Sequence, residues 1–193
     1  MNILAIDCCL RLTGVSLNGI SEQEDLGRRQ SQELPLMTER ILMKNNLSWN
    51  DIDYIALTNG PGYFTGIRVG AAYATGIAYA CGAKIIPVST LELLSHNFSN
   101  KTLTLIYAGH GFVYAECKNF LEPGEYSHEF IKSWLEKNSD SKIISDDPER
   151  TELELKITKV KPDLLSLCEI ARENINRAIK PENLKISYYR SVI

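Results

Sequence analysis

Short apolar segments alternate along the first half of the chain with longer segments in which apolar residues recur at helical spacing. Ile3–Asp7 and Tyr54–Thr58 are rich in aliphatic residues, which is typical of buried strands. Leu34, Met37 and Ile41 share one face of a predicted helix. The predicted elements are strands at 3–7, 13–18, 26–30, 54–58 and 84–88, and helices at 34–45, 66–83 and from residue 89.

The second half repeats the opening arrangement of a strand pair followed by helices and strands. Strands are predicted at 102–107, 112–118, 142–145 and 153–157, and helices at 127–138 and 162–179. Because the opening arrangement occurs twice, the pattern predicts an α/β chain of two related subdomains. Their predicted bounds are residues 1–99 and residues 100–193.

A glycine-rich turn joins the strand at 54–58 to the helix at 66–83. Glycine lets another backbone come close, and a proline between two glycines fixes the turn. Thr65 is placed to cap the helix, whose free N–H groups and positive dipole end suit an anion. A turn of this kind serves chain reversal about as often as it binds a ligand. The residues of this glycine-rich loop are Gly60, Pro61, Gly62, Thr65, Gly66 and Arg68.

Small residues recur at every fourth position of the helix that follows the turn. Gly66, Gly70, Ala74 and Ala78 form a row with almost no side chain, so a second helix can approach closely. Such a row fits packing inside its own domain as well as an interface with another subunit. The predicted partner interface comprises Leu34, Met37, Ile41, Gly66, Gly70, Ala74 and Ala78.

The whole run from Asn59 to Gly70 resembles a family signature. Its sequence, Asn-Gly-Pro-Gly-Tyr-Phe-Thr-Gly-Ile-Arg-Val-Gly, is similar to the Gly-Pro-Gly-Ser-Phe-Thr-Gly-Leu-Arg element of the TsaB (YeaZ) family, with Tyr63 in place of serine. Near the end of the chain, Tyr188-Tyr189-Arg190 resembles a Tyr-x-Arg element of the family. The resemblance implies the duplicated actin-like ATPase (ASKHA) fold, an α/β architecture with two subdomains, here with a shortened C-terminal one.

The same resemblance implies a function. Members of the TsaB family are non-catalytic partner subunits in the bacterial synthesis of threonylcarbamoyladenosine in tRNA. We therefore expect a heterodimer with TsaD, a homodimer, contact with the ATPase TsaE through the complex, and contact with tRNA only indirectly. Relatives pair through their two N-terminal helices, which favours the interface interpretation of the row of small residues.

Positions that carry chemistry in related proteins hold other residues in this chain. Asp7 stands where actin-like ATPases have a phosphate-facing aspartate, but bulky residues follow it, so we expect Asp7 to cap its own tight turn. The catalytic paralogue TsaD carries a His-x-x-x-His metal pair where this chain has Thr90 and Leu94, and leucine binds no cation. We therefore predict no catalytic residue, no nucleotide site, no metal site and no cofactor.

Composition narrows the class of protein further. With 193 residues, 44% hydrophobic residues and a net charge of −3, the chain is typical of a globular protein and not of a stand-alone nucleic-acid binder. Five cysteines without a CxxC pair predict reduced core cysteines and a cytoplasmic location. The longest uncharged run, residues 69–83, is too short for a membrane span.

Alternatives remain open for the function and for one residue. A nucleotide-hydrolysing or phosphotransfer enzyme of the actin-like superfamily would use the turn after Asp7, whereas a self-associating protein unrelated to tRNA would need only the two helices. Arg68 is the one charged residue at an otherwise apolar helix start. It either pairs with Asp7 or Glu39 as a structural residue or touches a ligand.

Overall fold

The computed structural model describes residues 1–187 and Tyr189, which fall into two compact units. The first unit combines Met1–Leu93 with Asp163–Ser187, and the second contains Leu94–Pro162. Tyr188 and Arg190 of the predicted Tyr-x-Arg element lie outside the described residues.

The first unit is built on a five-stranded mixed sheet. β1 pairs antiparallel with β2 and parallel with β4, and β4 pairs parallel with β5. Because β1, β4 and β5 are parallel, their carboxyl ends meet at one edge of the sheet, where ligands bind in many α/β proteins. The strands, in the order β3-β2-β1-β4-β5, are β1 (Ile3–Asp7), β2 (Thr13–Leu17), β3 (Ile20–Glu24), β4 (Tyr54–Thr58) and β5 (Lys84–Val88).

Two long helices cover one face of this sheet. α1 (Gln30–Lys44) and α2 (Phe64–Cys81) bury apolar side chains in a core shared with Leu4 and Ile6 of β1. Gly82 ends α2 in the left-handed conformation, as is usual after a helix. α3 (Thr90–Ser95) follows β5 and is preceded by Ser89, whose Oγ accepts a hydrogen bond from the Leu91 amide at 3.2 Å.

The second unit contains a sheet with the same topology. β6, β7 and β8 form an antiparallel meander, and β9 and β10 add to β6 in parallel. α4 (His128–Lys137) buries Ile131 against Leu103 and Val113. This repeat confirms the predicted duplicated actin-like α/β fold with two subdomains. The strands, in the order β10-β9-β6-β7-β8, are β6 (Thr102–Gly109), β7 (Phe112–Cys117), β8 (Leu121–Ser127), β9 (Lys142–Ser145) and β10 (Thr158–Lys159).

The last helix, α5 (Leu164–Glu173), belongs to the first unit, although the sequence places it in a subdomain of residues 100–193. Leu167 and Ala171 are buried against Ile3 and Ala5 on the face of the sheet opposite to α1 and α2. That apolar face of β1 must be covered for the sheet to be stable in water, and the C-terminal part of the chain supplies the cover. The division between the units therefore does not follow chain order.

Several local predictions are wrong. The strand predicted at 26–30 is a turn, and α1 already begins at Gln30, whose Nε2 donates a hydrogen bond to Thr13 Oγ1 at 2.8 Å. β8 is missing from the prediction because Pro123 and Gly124 interrupt its apolar pattern. The strand predicted at 153–157 is irregular, and β10 follows it. Short 3-10 helices lie at Trp49–Asp51, Glu149–Thr151, Ile175–Arg177 and Pro181–Asn183.

Candidate functional site

The glycine-rich turn between β4 and α2 receives the backbone of the turn that follows β1. A Cβ atom on Gly66 would lie 2.0 Å from the carbonyl oxygen of Cys8, and a Cβ atom on Gly62 would lie 2.1 Å from that of Cys9. Both distances are far inside van der Waals contact, so only glycine fits at these positions. We call Gly62 and Gly66 the glycine socket.

The start of α2 is also hydrogen-bonded to the turn that follows β1. The Tyr63 amide donates a hydrogen bond to the Cys9 carbonyl oxygen at 2.7 Å. α2 begins at Phe64 with Tyr63 as its N-cap, and Thr65 is exposed inside the first turn. The prediction that Thr65 caps the helix is therefore wrong, because the helix begins before Thr65. One amide that the sequence offers to an anion is occupied by the chain itself.

The other side of the glycine-rich turn holds the C-terminal segment of the first unit. The Asn59 amide nitrogen Nδ2 donates to the Lys185 carbonyl oxygen at 3.1 Å and to Ser187 Oγ at 3.2 Å. Ser187 returns a hydrogen bond from its amide to the Asn59 carbonyl oxygen at 2.9 Å. Gly60 has a φ of 110°, and a Cβ atom there would lie 2.7 Å from the Ser187 carbonyl oxygen. The chain therefore contacts the turn from both sides.

Asp7 lies at the carboxyl end of β1 and is completely buried. Its Oδ1 accepts hydrogen bonds from Thr58 Oγ1 at 2.6 Å and from the Cys9 amide at 3.0 Å. The second bond confirms the prediction that Asp7 caps its own turn. Burial raises the pKa of Asp7 above its ordinary value and outweighs the two hydrogen bonds, which lower it.

The two cysteines after Asp7 are core residues, as predicted. Cys8 and Cys9 are free thiols that are 1% and 0% exposed. Burial, with the nearby Asp7 carboxyl as a second cause, raises the pKa of Cys9 to about 12 and raises that of Cys8 as well. A thiol that stays protonated at neutral pH is a poor nucleophile and a poor metal ligand. These side chains therefore contribute packing at the sheet edge.

Thr90 and Leu94, which the resemblance places where TsaD has its histidine pair, are buried side chains with 0% and 3% exposure. Over residues 1–187, no group of three or more His, Cys, Asp or Glu side chains is arranged to hold a metal ion. None of the helices in this part of the chain combines the length and the apolar character needed to cross a bilayer.

The predicted interface residues are buried inside the first unit. Leu34 and Ile41 are 0% exposed, and Ala74 is 0% exposed. The inner face of α2 rests on the turn after β1, where a Cβ atom on Gly70 would meet the Cβ of Cys8 at 3.3 Å. The structure therefore assigns the whole predicted set to internal packing: Leu34, Met37, Ile41, Gly66, Gly70, Ala74 and Ala78.

The opposite face of α2 carries a second row of small residues. Ala72, Gly76 and Ala80 are exposed, and a Cβ atom on Gly76 would have no neighbour within 4 Å. They line an apolar groove of about 400 Å³. The row has the same spacing of four as the buried row, so this signal was present in the sequence, but spacing alone does not say which row is exposed. The groove residues are Trp49, Ala72, Tyr73, Gly76, Ile77, Ala80 and Cys81.

Large apolar side chains are also exposed on the two helices. Leu36 and Met43 of α1 are 48% and 72% exposed, and Tyr79 of α2 is 61% exposed. α1 and α2 pack on the same side of the sheet, so their exposed faces both point away from it. We call the groove residues together with Leu36, Met43 and Tyr79 the outer helical face.

Arg68 stacks on an aromatic ring at the start of α2. Its guanidinium carbon lies 3.8 Å from the centroid of the Phe64 ring, and Phe64 is 54% exposed. The Asp7 carboxyl, in contrast, accepts its hydrogen bonds from Thr58 and Cys9. The predicted pairing of Arg68 with Asp7 is therefore wrong, because Asp7 is enclosed in the core and Arg68 is exposed.

Comparison with protein-family models gives a match over residues 20–135, more than half of the chain, to the family described as TsaD, tRNA N6-adenosine threonylcarbamoyltransferase. A relative in Escherichia coli named tRNA threonylcarbamoyladenosine biosynthesis protein TsaB is 33% identical over 123 residues, which are 59% of this chain and 53% of the relative. A tRNA N6-adenosine threonylcarbamoyltransferase of Sulfurisphaera tokodaii is 39% identical over 79 residues, which are 41% of this chain and 24% of the relative.

A solved structure has the same fold over nearly the whole chain. YeaZ from Pseudomonas aeruginosa superposes with a TM-score of 0.81 at 22% sequence identity, covering 97% of this chain and 99% of that one. The sequence match to the Escherichia coli relative is shorter, and the chain spans about half the length of that protein.

Proposed function

The chain belongs to the TsaD family, on its TsaB (YeaZ) branch, and from this premise we propose that it is an accessory subunit in the biosynthesis of threonylcarbamoyladenosine in tRNA. In this role it supports threonylcarbamoyl transfer without an active site of its own. The observation that carries the proposal is the outer helical face, an exposed apolar surface with a groove on α2.

The filled glycine-rich turn supports an accessory role over a catalytic one. A phosphate at this turn would need free backbone amides at the start of α2, but the Cys9 carbonyl oxygen lies against Gly62 and bonds the Tyr63 amide. Asp7, which a nucleotide site would need to face its ligand, is enclosed in the core with Thr58 and Cys9. The alternative of a nucleotide-hydrolysing enzyme therefore has no geometric support at this edge of the sheet.

The outer helical face suits a helical partner. Ala72, Gly76 and Ala80 leave room for a second helix to approach closely, and the exposed side chains of Met43 and Tyr79 add apolar area around them. We propose TsaD as the partner in a heterodimer, with the same face joining two copies of this chain when TsaD is absent. TsaE then joins through the complex.

Direct binding of tRNA has little electrostatic support in the first unit. Several of its exposed basic side chains already face acidic ones, as in the pairs of Arg11 with Asp25 and of Arg40 with Glu22. With a net charge of −3, the chain lacks the excess of positive charge that phosphate neutralisation requires. We therefore propose that tRNA is contacted only indirectly, through TsaD.

Co-purification with TsaD from the same genome tests this function. We expect the unmodified chain to co-elute with TsaD, and Ala72→Arg to abolish co-elution while circular dichroism stays unchanged. Ser133→Arg, which places the same charge on an exposed position of α4, is the matched control and should still co-elute. Co-elution of Ala72→Arg, or ATP hydrolysis by the chain alone, would contradict the proposal.

A further inference from the structure

One oxygen of the buried Asp7 carboxyl group has no hydrogen-bond donor. Oδ1 accepts both hydrogen bonds of this side chain. Oδ2 has no partner among the described residues, and it is also inaccessible to solvent. An ionised carboxylate in such a place would lose its hydration without gaining a counterion, which is strongly unfavourable. The geometry therefore favours the neutral acid.

Among the residues that the structure describes, the groups that face this carboxyl from the surrounding elements carry no positive charge. The turn after β1 contributes the thiols of Cys8 and Cys9, β4 contributes the hydroxyl of Thr58, and α3 contributes the hydroxyl of Thr90, which acts on Cys9. From α2, the phenol of Tyr73 acts on Cys8, and burial raises its pKa. Burial also raises the pKa values of these thiols and of the phenol above their ordinary values.

We propose that Asp7 is a proton-operated latch whose neutral carboxyl keeps the Cys8–Cys9 turn in the glycine socket and whose ionisation releases that turn. Cys9 connects the ionisation of Asp7 to the release of the turn. Its amide donates a hydrogen bond to Asp7, while its carbonyl oxygen lies against Gly62 and accepts a hydrogen bond from the Tyr63 amide. An ionised Oδ2 needs donors that only water supplies, and water reaches it when this turn moves away. The proton passes to bulk solvent, and the amides at the start of α2 become accessible.

The direction of the pH dependence follows from the raised pKa of Asp7. Below its ordinary value of 3.8 the carboxyl is protonated in the closed and in the open form, so pH has no effect through this group. Between that value and the raised pKa of the closed form, only the open form is ionised. Opening then becomes more favourable by up to about tenfold per pH unit, and it levels off above the raised pKa.

Hydrogen exchange measured by mass spectrometry across a pH series tests the latch. After correction for intrinsic exchange, we expect protection of the segments 8–12 and 60–68 to fall by up to about tenfold per pH unit and then level off. Asp7→Asn, which keeps the shape but cannot ionise, should remove this slope. Asp147→Asn in the second unit is the matched control and should keep it. An unchanged slope in Asp7→Asn would overturn the proposal.

Infrared spectroscopy of the unmodified chain keeps the proposal open to refutation if Asp7→Asn does not fold. Where pKa shifts are found at other carboxyl groups of the described residues, as for Glu22 and Asp25, they are downward. A carboxylic acid C=O band that persists after the other carboxyl groups have ionised, and that vanishes on unfolding, is therefore the expected result. Loss of the whole band in the ordinary carboxyl range would show that Asp7 is not held neutral.

Discussion

The two faces of α2 carry the same pattern of small residues, but one face is packed inside the first unit and the other is exposed. On the inner face, a Cβ atom on Gly66 would lie 2.0 Å from a backbone oxygen, whereas on the outer face a Cβ atom on Gly76 would meet nothing within 4 Å. The spacing of four thus identifies a smooth ridge on a helix but not what lies against it. The inner row is Gly66, Gly70, Ala74 and Ala78, and the outer row is Ala72, Gly76 and Ala80.

This difference separates folding from binding on a single helix. The inner row lets α2 lie against the turn after β1, so a larger residue there acts on the stability of the first unit. The outer row has no such neighbour, so a larger residue there meets no steric obstacle and changes what the surface can bind. Substitutions that are matched in chemistry and differ in face should therefore give different kinds of defect.

The largest effect is expected from a charge on the inner row. Ala74 is 0% exposed, so Ala74→Arg would bury an unpaired guanidinium and should cost roughly 3–5 kcal/mol, a large part of the stability of a domain. Circular dichroism during thermal unfolding should show loss of the native transition. The matched control, Ala72→Arg on the outer row, should unfold like the unmodified chain.

The sequence-based assignment of the inner row to a partner interface predicts another outcome. In that case Ala74→Arg would fold normally and lose only its partner. A folded, monomeric Ala74→Arg in light scattering would therefore contradict the internal packing described here.

A smaller but still large effect is expected when a single methyl group is added to the glycine socket. Gly66→Ala places a Cβ against the Cys8 carbonyl oxygen, and because both groups belong to backbone, neither moves easily. We expect a loss of about 1–3 kcal/mol in the free energy of unfolding, measured by urea denaturation.

Gly76→Ala is the matched control for this substitution on the same helix. Because the added methyl group is unobstructed and alanine favours the helix, we expect a gain of about 0.5–1 kcal/mol. Equal destabilisation by both changes would mean that glycine flexibility, and not the close approach of Cys8, explains the effect at Gly66.

The sequence predicts the strands of the first unit better than the contacts at its glycine-rich turn. β1, β4 and β5 were predicted with their observed bounds because each is a short aliphatic run between turn residues. The close approach of Cys8 and Cys9 to the glycine-rich turn joins segments more than fifty residues apart, and no local pattern contains it. The family signature locates the turn but does not show that the chain itself fills it.

The same limit explains the misplaced interface. Helical periodicity shows that α2 has two smooth faces, but only the position of the sheet decides which face is buried. α5 adds to this uncertainty, because an element from the far end of the chain covers the opposite face of the same sheet. Predictions about surfaces therefore fail where predictions about strands succeed.

The smallest effect on stability is expected from Arg68, beside the outer row at the start of α2. Its contact with Phe64 is exposed, and cation–π contacts at exposed sites contribute about 0.5–1 kcal/mol at most. Arg68→Ala should therefore lower the free energy of unfolding by less than about 1 kcal/mol. In a reconstituted mixture with TsaD and TsaE, we expect the tRNA modification that this variant supports to follow its affinity for TsaD. If Arg68→Ala abolishes modification while fold and TsaD binding persist, Arg68 acts on a ligand and the chain is more than an accessory subunit.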